Sequence, residues 1–480
     1  MNASHSFHPF VPTPLDHSMP RLYVPQFLCF HTTTAESAVQ HLHVGVHRLF
    51  KNLPFLAGEV VTNEDTGGVR VQSPSVSTRN IPYLAIQTRP DDYLPARQDA
   101  QSNPLDRDRK RTNLDASYSP LPVVLPPSQP QPIIRFQANI LADGVLFAVT
   151  YHHAIMDGTG CGELLEMLAQ CCSALSDEDV SLPTDSHTQE VFRQYISNLS
   201  PTTTTTTTTT NNNYKELYHP VMKSTDHIQH PPFALRTEQF TFPAKQITTL
   251  RDACNRLLPE LTTTTTTTTT PLPQQTLSSN DILTALISLA ITRTTTPIKP
   301  NTLTLTMSVN LRSRIHPTSL THYLGTAITA VRVNIPINPT QPTLTLPTTT
   351  ITTIPDLTSL TQTAHQIRTA LNTLTRESIP NLITHIRERR HAGEDICLQM
   401  GDIVVSSWRH LSVYGIDFGP GLGKITGFEV QEGLMERLVV VLPRKRDGDG
   451  DGDWDVCITL SEHEMEGFRR DGLVRWVLGE

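Results

Sequence analysis

Val145 to Thr150 form an apolar run that leads into Tyr151-His152-His153, turns at Asp157-Gly158, and is followed by Leu164, Leu165 and Leu168 at helical spacing. A segment that reads strand, sharp loop, helix must lay the strand in a sheet covered by that helix. Side chains at the strand's end then protrude into a crevice. The surrounding elements are of both kinds. Val39, Leu42, Val46, Leu49 and Phe50 recur as one helical face, and Leu53-Pro54-Phe55-Leu56-Ala57-Gly58 stops it. Strands are expected at Gly68 to Val71 and Ile133 to Ala138. Further on, Ser278-Ser279-Asn280-Asp281 caps a helix carrying Ile282, Leu286 and Leu289. Leu303, Leu305, Met307 and Val309 alternate with Thr and Ser, as in a half-buried strand, and lead into Asn310-Leu311-Arg312-Ser313-Arg314. Leu438 to Leu442 and Trp454 to Leu460 flank an Asp-Gly loop and read as a hairpin. Ser461 and Glu464 predict a capping box for a last helix continuing toward Leu473 and Trp476. Mixed elements in both halves predict an α/β chain layered around open sheets.

A length of 480 residues, 37% of them hydrophobic, suits two domains. Two threonine homopolymers, Thr202 to Thr210 and Thr262 to Thr270, have no apolar period and cannot bury a face, so both read as exposed, disordered insertions. The first marks an interdomain crossover. The expected division is residues 1–200, a Thr-rich linker at 201–236, and residues 237–480 with the second run at 262–270 inside it. A net charge of -8 and a pI near 6.2 argue against nucleic-acid binding. No segment has the roughly 18 apolar residues a membrane span needs, and the N-terminus lacks a basic region followed by an apolar one, so a cytoplasmic protein is expected. The seven cysteines are scattered without paired spacing and read as reduced thiols.

Metal chemistry finds little support in the motifs. Asp447, Asp449, Asp451 and Gly452 match the first half of an EF-hand loop, but Ile458 stands where a bidentate Glu is required. His152, His153 and Asp157 have no third nearby ligand, so no metal site is expected. His153 is instead a candidate general base, with a structural histidine as the alternative. Asp157 could pair with it as a dyad or point away as support. No G-x-S-x-G elbow is present, and Cys161 has no activating partner in the sequence.

His153-Ala154-Ile155-Met156-Asp157-Gly158 matches HxxxDG, and Asp417-Phe418-Gly419-Pro420-Gly421 resembles DFGWG. With Pro14-Leu15-Asp16, Ser279-Asn280-Asp281, Asn310 to Arg314, Tyr323-Leu324-Gly325-Thr326 and Ser406-Ser407-Trp408-Arg409, the chain resembles the BAHD family of CoA-dependent acyltransferases. The likeness is strongest to fungal members similar to trichothecene 3-O-acetyltransferase. Pro420 replaces the usual Trp of DFGWG, and Thr326 replaces the Asn of a YFGN-like element. The resemblance implies a monomeric enzyme of the two-domain chloramphenicol-acetyltransferase-like fold, each domain a mixed β-sheet flanked by helices. Acyl-CoA, most simply acetyl-CoA, would be its co-substrate, and a hydroxyl on a small secondary metabolite its acceptor. His153 would be the base, and the Trp408 indole would face the tetrahedral intermediate, a packed core tryptophan being the alternative. Asp157 would pair with Arg312, or second with Arg314, while Gly158, Ser406, Asp417, Gly419 and Gly421 would support the site. His152-His153 with Asp157-Gly158 also spells HHxxxDG, the signature of amide-forming condensation domains. A non-catalytic homologue that binds a metabolite or partner is the rival outside enzymology.

Overall fold

The computed structural model describes residues 7, 10–63, 68–95, 114–201, 216–220, 234–263, 276–295, 301–315, 320–337, 354–445 and 452–479. Two mixed sheets organise the chain. The first has five strands in the order Gly427–Val430, Tyr23–His31, Gly144–His152, Ile134–Leu141 and Leu84–Arg89. The second has six: Ile328–Pro336, Thr302–Asn310, Ile403–Ser407, Leu438–Val441, Trp454–Ser461 and Leu235–Phe242. The two sheets with their flanking helices give the two mixed α/β layers that the resemblance implies.

In the first sheet Tyr23–His31 and Gly144–His152 pair antiparallel along their whole length, Tyr23 opposite His152 and His31 opposite Gly144. Their inner side chains pack against the helices Ala35–Asn52 and Gly158–Ser173. Gly427–Val430 comes from the far end of the chain yet adds to this sheet, Gln26 opposite Val430 and Cys29 opposite Gly427. The apolar core of the first sheet accordingly continues into residues of the second half, among them Leu311, Tyr323, Leu324, Leu411 and Phe428. A second core lies behind the other sheet, around the helix Ser279–Thr294. The expected cap is fully formed there, with Ser278 Oγ accepting from Asp281 N and the Asp281 carboxylate accepting from Ser278 N. Residues from Asp281 to Thr292 are all buried, so this helix is enclosed rather than amphipathic.

Several local expectations are corrected. The crossover segment contains a described strand, Tyr218–Pro220, that pairs with Ile396–Leu398, and the strand after it starts at Leu235. Thr262 and Thr263 belong to the helix Ala244–Thr263, where the Thr262 hydroxyl donates back to Leu258 O at 3.0 Å and continues the helical path. Thr202 to Thr210, the remainder of the second run and Asp447 to Asp451 lie outside the described residues. The last helix is interrupted. Glu462–Arg470 ends at Asp471, whose side chain accepts from Leu473 N and Val474 N and opens a new helix, Gly472–Leu478. Ser461 caps as expected, but Glu464 does not return to its backbone; one carboxylate oxygen takes the Ser461 hydroxyl and the other takes Arg437.

Candidate active site

The strand Gly144–His152 ends where the helix Gly158–Ser173 begins, and the turn between them is built on Asp157. Asp157 is fully buried. Its Oδ1 accepts from Gly160 N at 2.8 Å, capping the helix, and from Arg312 Nη2 at 3.1 Å. Its Oδ2 accepts from Arg312 Nη1 at 2.9 Å and from Ala327 N at 2.8 Å. Two carboxylate oxygens have about four acceptor positions between them, so nothing is left for His153. Arg312 is the arginine that meets Asp157, and it also donates to Tyr323 O at 3.0 Å and Gly325 O at 2.7 Å. Arg314 turns elsewhere, to Leu371 O and Leu374 O. The bidentate pair ties the turn of the first half to the loop that follows Asn310 in the second.

The two adjacent histidines are held in opposite ways. His152 is buried, its Nδ1 accepts from Ala154 N at 3.3 Å, and its ring meets Tyr23 edge-on at 5.2 Å. Because that backbone N–H can only donate, the His152 proton sits on Nε2. Burial pushes its pKa down to about 3, so it is a neutral structural group. His153 is half-buried and its Nδ1 lies 3.3 Å from Met156 O. A carbonyl can only accept, which places the proton on Nδ1 and leaves the Nε2 lone pair available. Burial lowers the His153 pKa below its ordinary value, while the nearby Asp157 carboxylate and the Met156 carbonyl pull the other way. The peptide of His153 is clamped at both ends: its N–H donates to Leu22 O at 2.8 Å, and its carbonyl accepts from Thr326 Oγ1 at 3.3 Å.

Trp408 follows the strand Ile403–Ser407 and is fixed by its N–H to Val441 O and by an edge contact of its ring with Phe428 at 5.9 Å. Its indole nitrogen rests against Gly158, where a Cβ would stand 2.8 Å from Nε1. Gly158 is thus the close approach that brings the second half's tryptophan to the turn behind His153. Ser406 lies on the same strand, its hydroxyl 3.4 Å from that of Ser308. No hydrogen bond to His153 Nε2 or Trp408 Nε1 occurs among the described residues.

The DFGPG segment is not part of this constellation. Ser173 Oγ donates to Asp417 O at 3.2 Å, so the segment meets the far end of the helix Gly158–Ser173, about 22 Å from the His153 turn at 1.5 Å per residue. Asp417 Oδ1 accepts from Gly419 N at 2.9 Å, and Gly419 and Gly421 take positive φ of 84° and 82°, which closes a tight loop over Phe418. Cys161 is inert: it is buried, its thiol donates to Gln26 Oε1 at 3.3 Å, and burial raises its pKa.

Some groups around the turn carry no role in the sequence reading. Thr326 and the relay in which Asn310 Nδ2 donates to Thr159 Oγ1, itself 3.0 Å from His410 Nε2, are set by partners far apart in the chain. Asn310 and Thr326 were visible only as members of motifs. Among the described residues no group of three or more His, Cys, Asp or Glu could hold a metal ion, and no helix is long and apolar enough to cross a membrane.

Comparison with known proteins gives a consistent result. Residues 108–473 match the model of the Transferase family, and residues 22–172 match the trichothecene 3-O-acetyltransferase-like N-terminal domain. Fumigaclavine B O-acetyltransferase of Aspergillus fumigatus is 35% identical over 91% of this chain and 90% of its own. Communesin N16 acyltransferase of Penicillium expansum is 35% identical over 100% of this chain and 99% of its own. Among solved structures, TRI101 of F. sporotrichioides complexed with coenzyme A and T-2 superposes with a TM-score of 0.69 at 18% identity, covering 97% of this chain and 98% of that one. Vinorine synthase superposes at 0.59 with 14% identity, covering 97% and 93%.

Proposed function

The chain belongs to the Transferase family of BAHD-type acyltransferases, and from that premise we propose that it moves an acyl group, acetyl in the simplest case, from acyl-CoA to a hydroxyl of a small fungal secondary metabolite. The observation that carries the reading is the state of His153: its proton is held on Nδ1 by Met156 O, its Nε2 is unspent, and it stands at the meeting of the two halves. Neutral Nε2 takes the acceptor's hydroxyl proton as the oxygen attacks the thioester carbonyl. The carbonyl electron pair moves onto oxygen, giving a tetrahedral intermediate whose oxyanion faces the Trp408 indole N–H. Re-forming the carbonyl breaks the C–S bond, and the imidazolium returns its proton to the sulfur. The products are the ester and free CoA thiol, with no acyl-enzyme needed.

Asp157 and Arg312 act as support on this reading, and with Gly158 and Ser406 they fix the turn and the strand that present the two working groups. Asp417, Gly419 and Gly421 hold a loop remote from the chemistry. The O-acetyltransferase named above supports a hydroxyl acceptor. A nitrogen acceptor is the second reading, favoured by the relative whose name places its acyl group at N16. Incubation with acetyl-CoA and a panel of fungal alcohols and amines, following thiol release, separates the two. His153→Ala is expected to reduce turnover by about 10²- to 10⁴-fold with circular dichroism unchanged; unchanged turnover rejects the mechanism. Activity only with carrier-protein-bound substrate would favour the condensation-domain alternative.

A further inference from the structure

We propose that Asp16 and Thr326 are positioning residues for His153, coupling the N-terminal helix to the base across the interdomain seam; the proposal rests on the assignment of His153 above. Asp16 lies on the short helix Pro14–His17 and is fully buried. One carboxylate oxygen caps its own helix, Oδ2 accepting from Thr13 N at 2.7 Å. The other reaches into the second half, Oδ1 accepting from Thr326 N at 3.2 Å. Thr326 then uses its hydroxyl to donate to the His153 carbonyl at 3.3 Å, and the next peptide, Ala327 N, donates to Asp157 Oδ2 at 2.8 Å.

Three consecutive residues of one loop therefore grip four partners around the turn. Gly325 O takes Arg312, Thr326 takes Asp16 and His153, and Ala327 takes Asp157. The His153 peptide has only two hydrogen-bonding groups. Leu22 O holds the N–H, so Thr326 Oγ1 is what keeps the carbonyl, and with it the direction of the Cα–Cβ bond, from rotating. The ring contact to Met156 O depends on that direction. Asp16 never meets the histidine; it sets the height of Thr326. Misplacing a catalytic group by about 1 Å can cost on the order of 10²-fold in rate, which is the scale on which such a clamp acts.

The test compares Thr326→Val with Thr326→Ser. Valine keeps the side chain's shape and the backbone N–H that Asp16 accepts, but removes the hydroxyl; serine keeps the hydroxyl. Thiol release is followed with acetyl-CoA and the panel alcohol turned over fastest. Thr326→Val should lower kcat by about 10- to 10²-fold while the KM for acetyl-CoA stays within about twofold and circular dichroism shows the fold retained, and Thr326→Ser should restore kcat. Asp16→Ala, which removes both acceptor oxygens, should lower kcat in the same way, and combined with Thr326→Val should be no worse than the less active single variant. If Asp16→Ala does not fold, the threonine pair carries the test alone. Thr326→Val with wild-type kcat, a loss confined to KM, or failure of serine to restore would overturn the proposal. His153→Ala separates the two levels: if that variant keeps its turnover the underlying mechanism is wrong, whereas an inactive His153→Ala beside a fully active Thr326→Val refutes only the clamp.

Discussion

Replacing Arg312 by methionine separates a supporting role for Asp157 from a chemical one. In the wild type the Asp157 carboxylate is fully buried and receives two hydrogen bonds from the guanidinium and two from backbone N–H groups. Arg312→Met removes the first two and leaves a buried carboxylate with only Gly160 N and Ala327 N. It also takes the donor from Tyr323 O and Gly325 O. Breaking a buried ion pair by removing one partner costs about 3–5 kcal/mol, and the two abandoned carbonyls place this case toward the upper end. At about 1.4 kcal/mol per tenfold, a loss of 4 kcal/mol shifts the folding equilibrium by roughly 10³. Pulse proteolysis across a urea series measures the folded fraction, and thiol release measured on the same samples gives turnover per folded molecule. The expected outcome is a large loss of stability with folded-state turnover reduced by less than about tenfold. Adding Asp157→Asn should recover part of the stability, because the orphaned charge disappears with it. The argument fails if Arg312→Met shifts stability by under about 1 kcal/mol, or if folded-state turnover falls as far as it does in His153→Ala.

Trp408→Phe, which keeps a ring but removes the indole donor, should cost about 3 kcal/mol of transition-state stabilisation, a drop in kcat of about 10²-fold at nearly constant KM for acetyl-CoA. Gly158→Ala should show the same kinetic signature more weakly, because its Cβ would stand 2.8 Å from the indole nitrogen and displace it; wild-type kinetics in both would return Trp408 to a packing role. Because burial lowers the His153 pKa, the acid limb of kcat/KM should have its midpoint below 6.5 and the profile should be flat above it. The same depression makes the neutral ring's contribution to stability present above 6.5 and lost as pH falls through the folded value; a midpoint above 6.5 contradicts the burial argument. Asp417→Ala should lower thermal stability but leave kcat within about threefold, since Asp417 closes its own loop at the far end of the helix; a hundredfold loss of kcat would place that loop in the chemistry.

What the sequence makes legible is whatever a local pattern encodes. Leu303, Leu305, Met307 and Val309 announce their strand by alternation, and Ser278 with Asp281 announces a helix start, because both signals lie within a few residues of the element they specify. Gly427–Val430 has no such signal: a four-residue strand is fixed by its partner, and that partner is Tyr23–His31, reached only when the chain has folded. The break at Asp471 carries no local signal either, because the apolar residues on either side continue as one helical face, and only the aspartate's bonds to Leu473 N and Val474 N show that a new helix begins. Within the site, His153, Asp157 and Arg312 stand out by motif. The division of labour between His152 and His153 does not, because it depends on which ring nitrogen meets a donor and which meets a carbonyl.

That division follows a more general distinction. A polar group whose hydrogen-bonding capacity is spent inside the protein has none left for a substrate, and a group that reacts must keep some unspent. Asp157 has all four acceptor positions occupied and the Arg312 guanidinium is shared among several acceptors, so both are committed to holding the turn. His152 faces Tyr23 and a backbone N–H inside the core. Around the same turn, no described residue takes up His153 Nε2 or the Trp408 indole N–H, and on the proposed mechanism the first accepts the hydroxyl proton and the second donates to the oxyanion. Transfer of an acyl group between thioester and alcohol is served by one group of each kind at the reacting carbon. Here they come from opposite halves of the chain, His153 following a strand of the first sheet and Trp408 a strand of the second. On the proposed mechanism the buried Asp157–Arg312 pair, which joins those halves, acts by fixing the spacing between His153 and Trp408 and not by moving a proton.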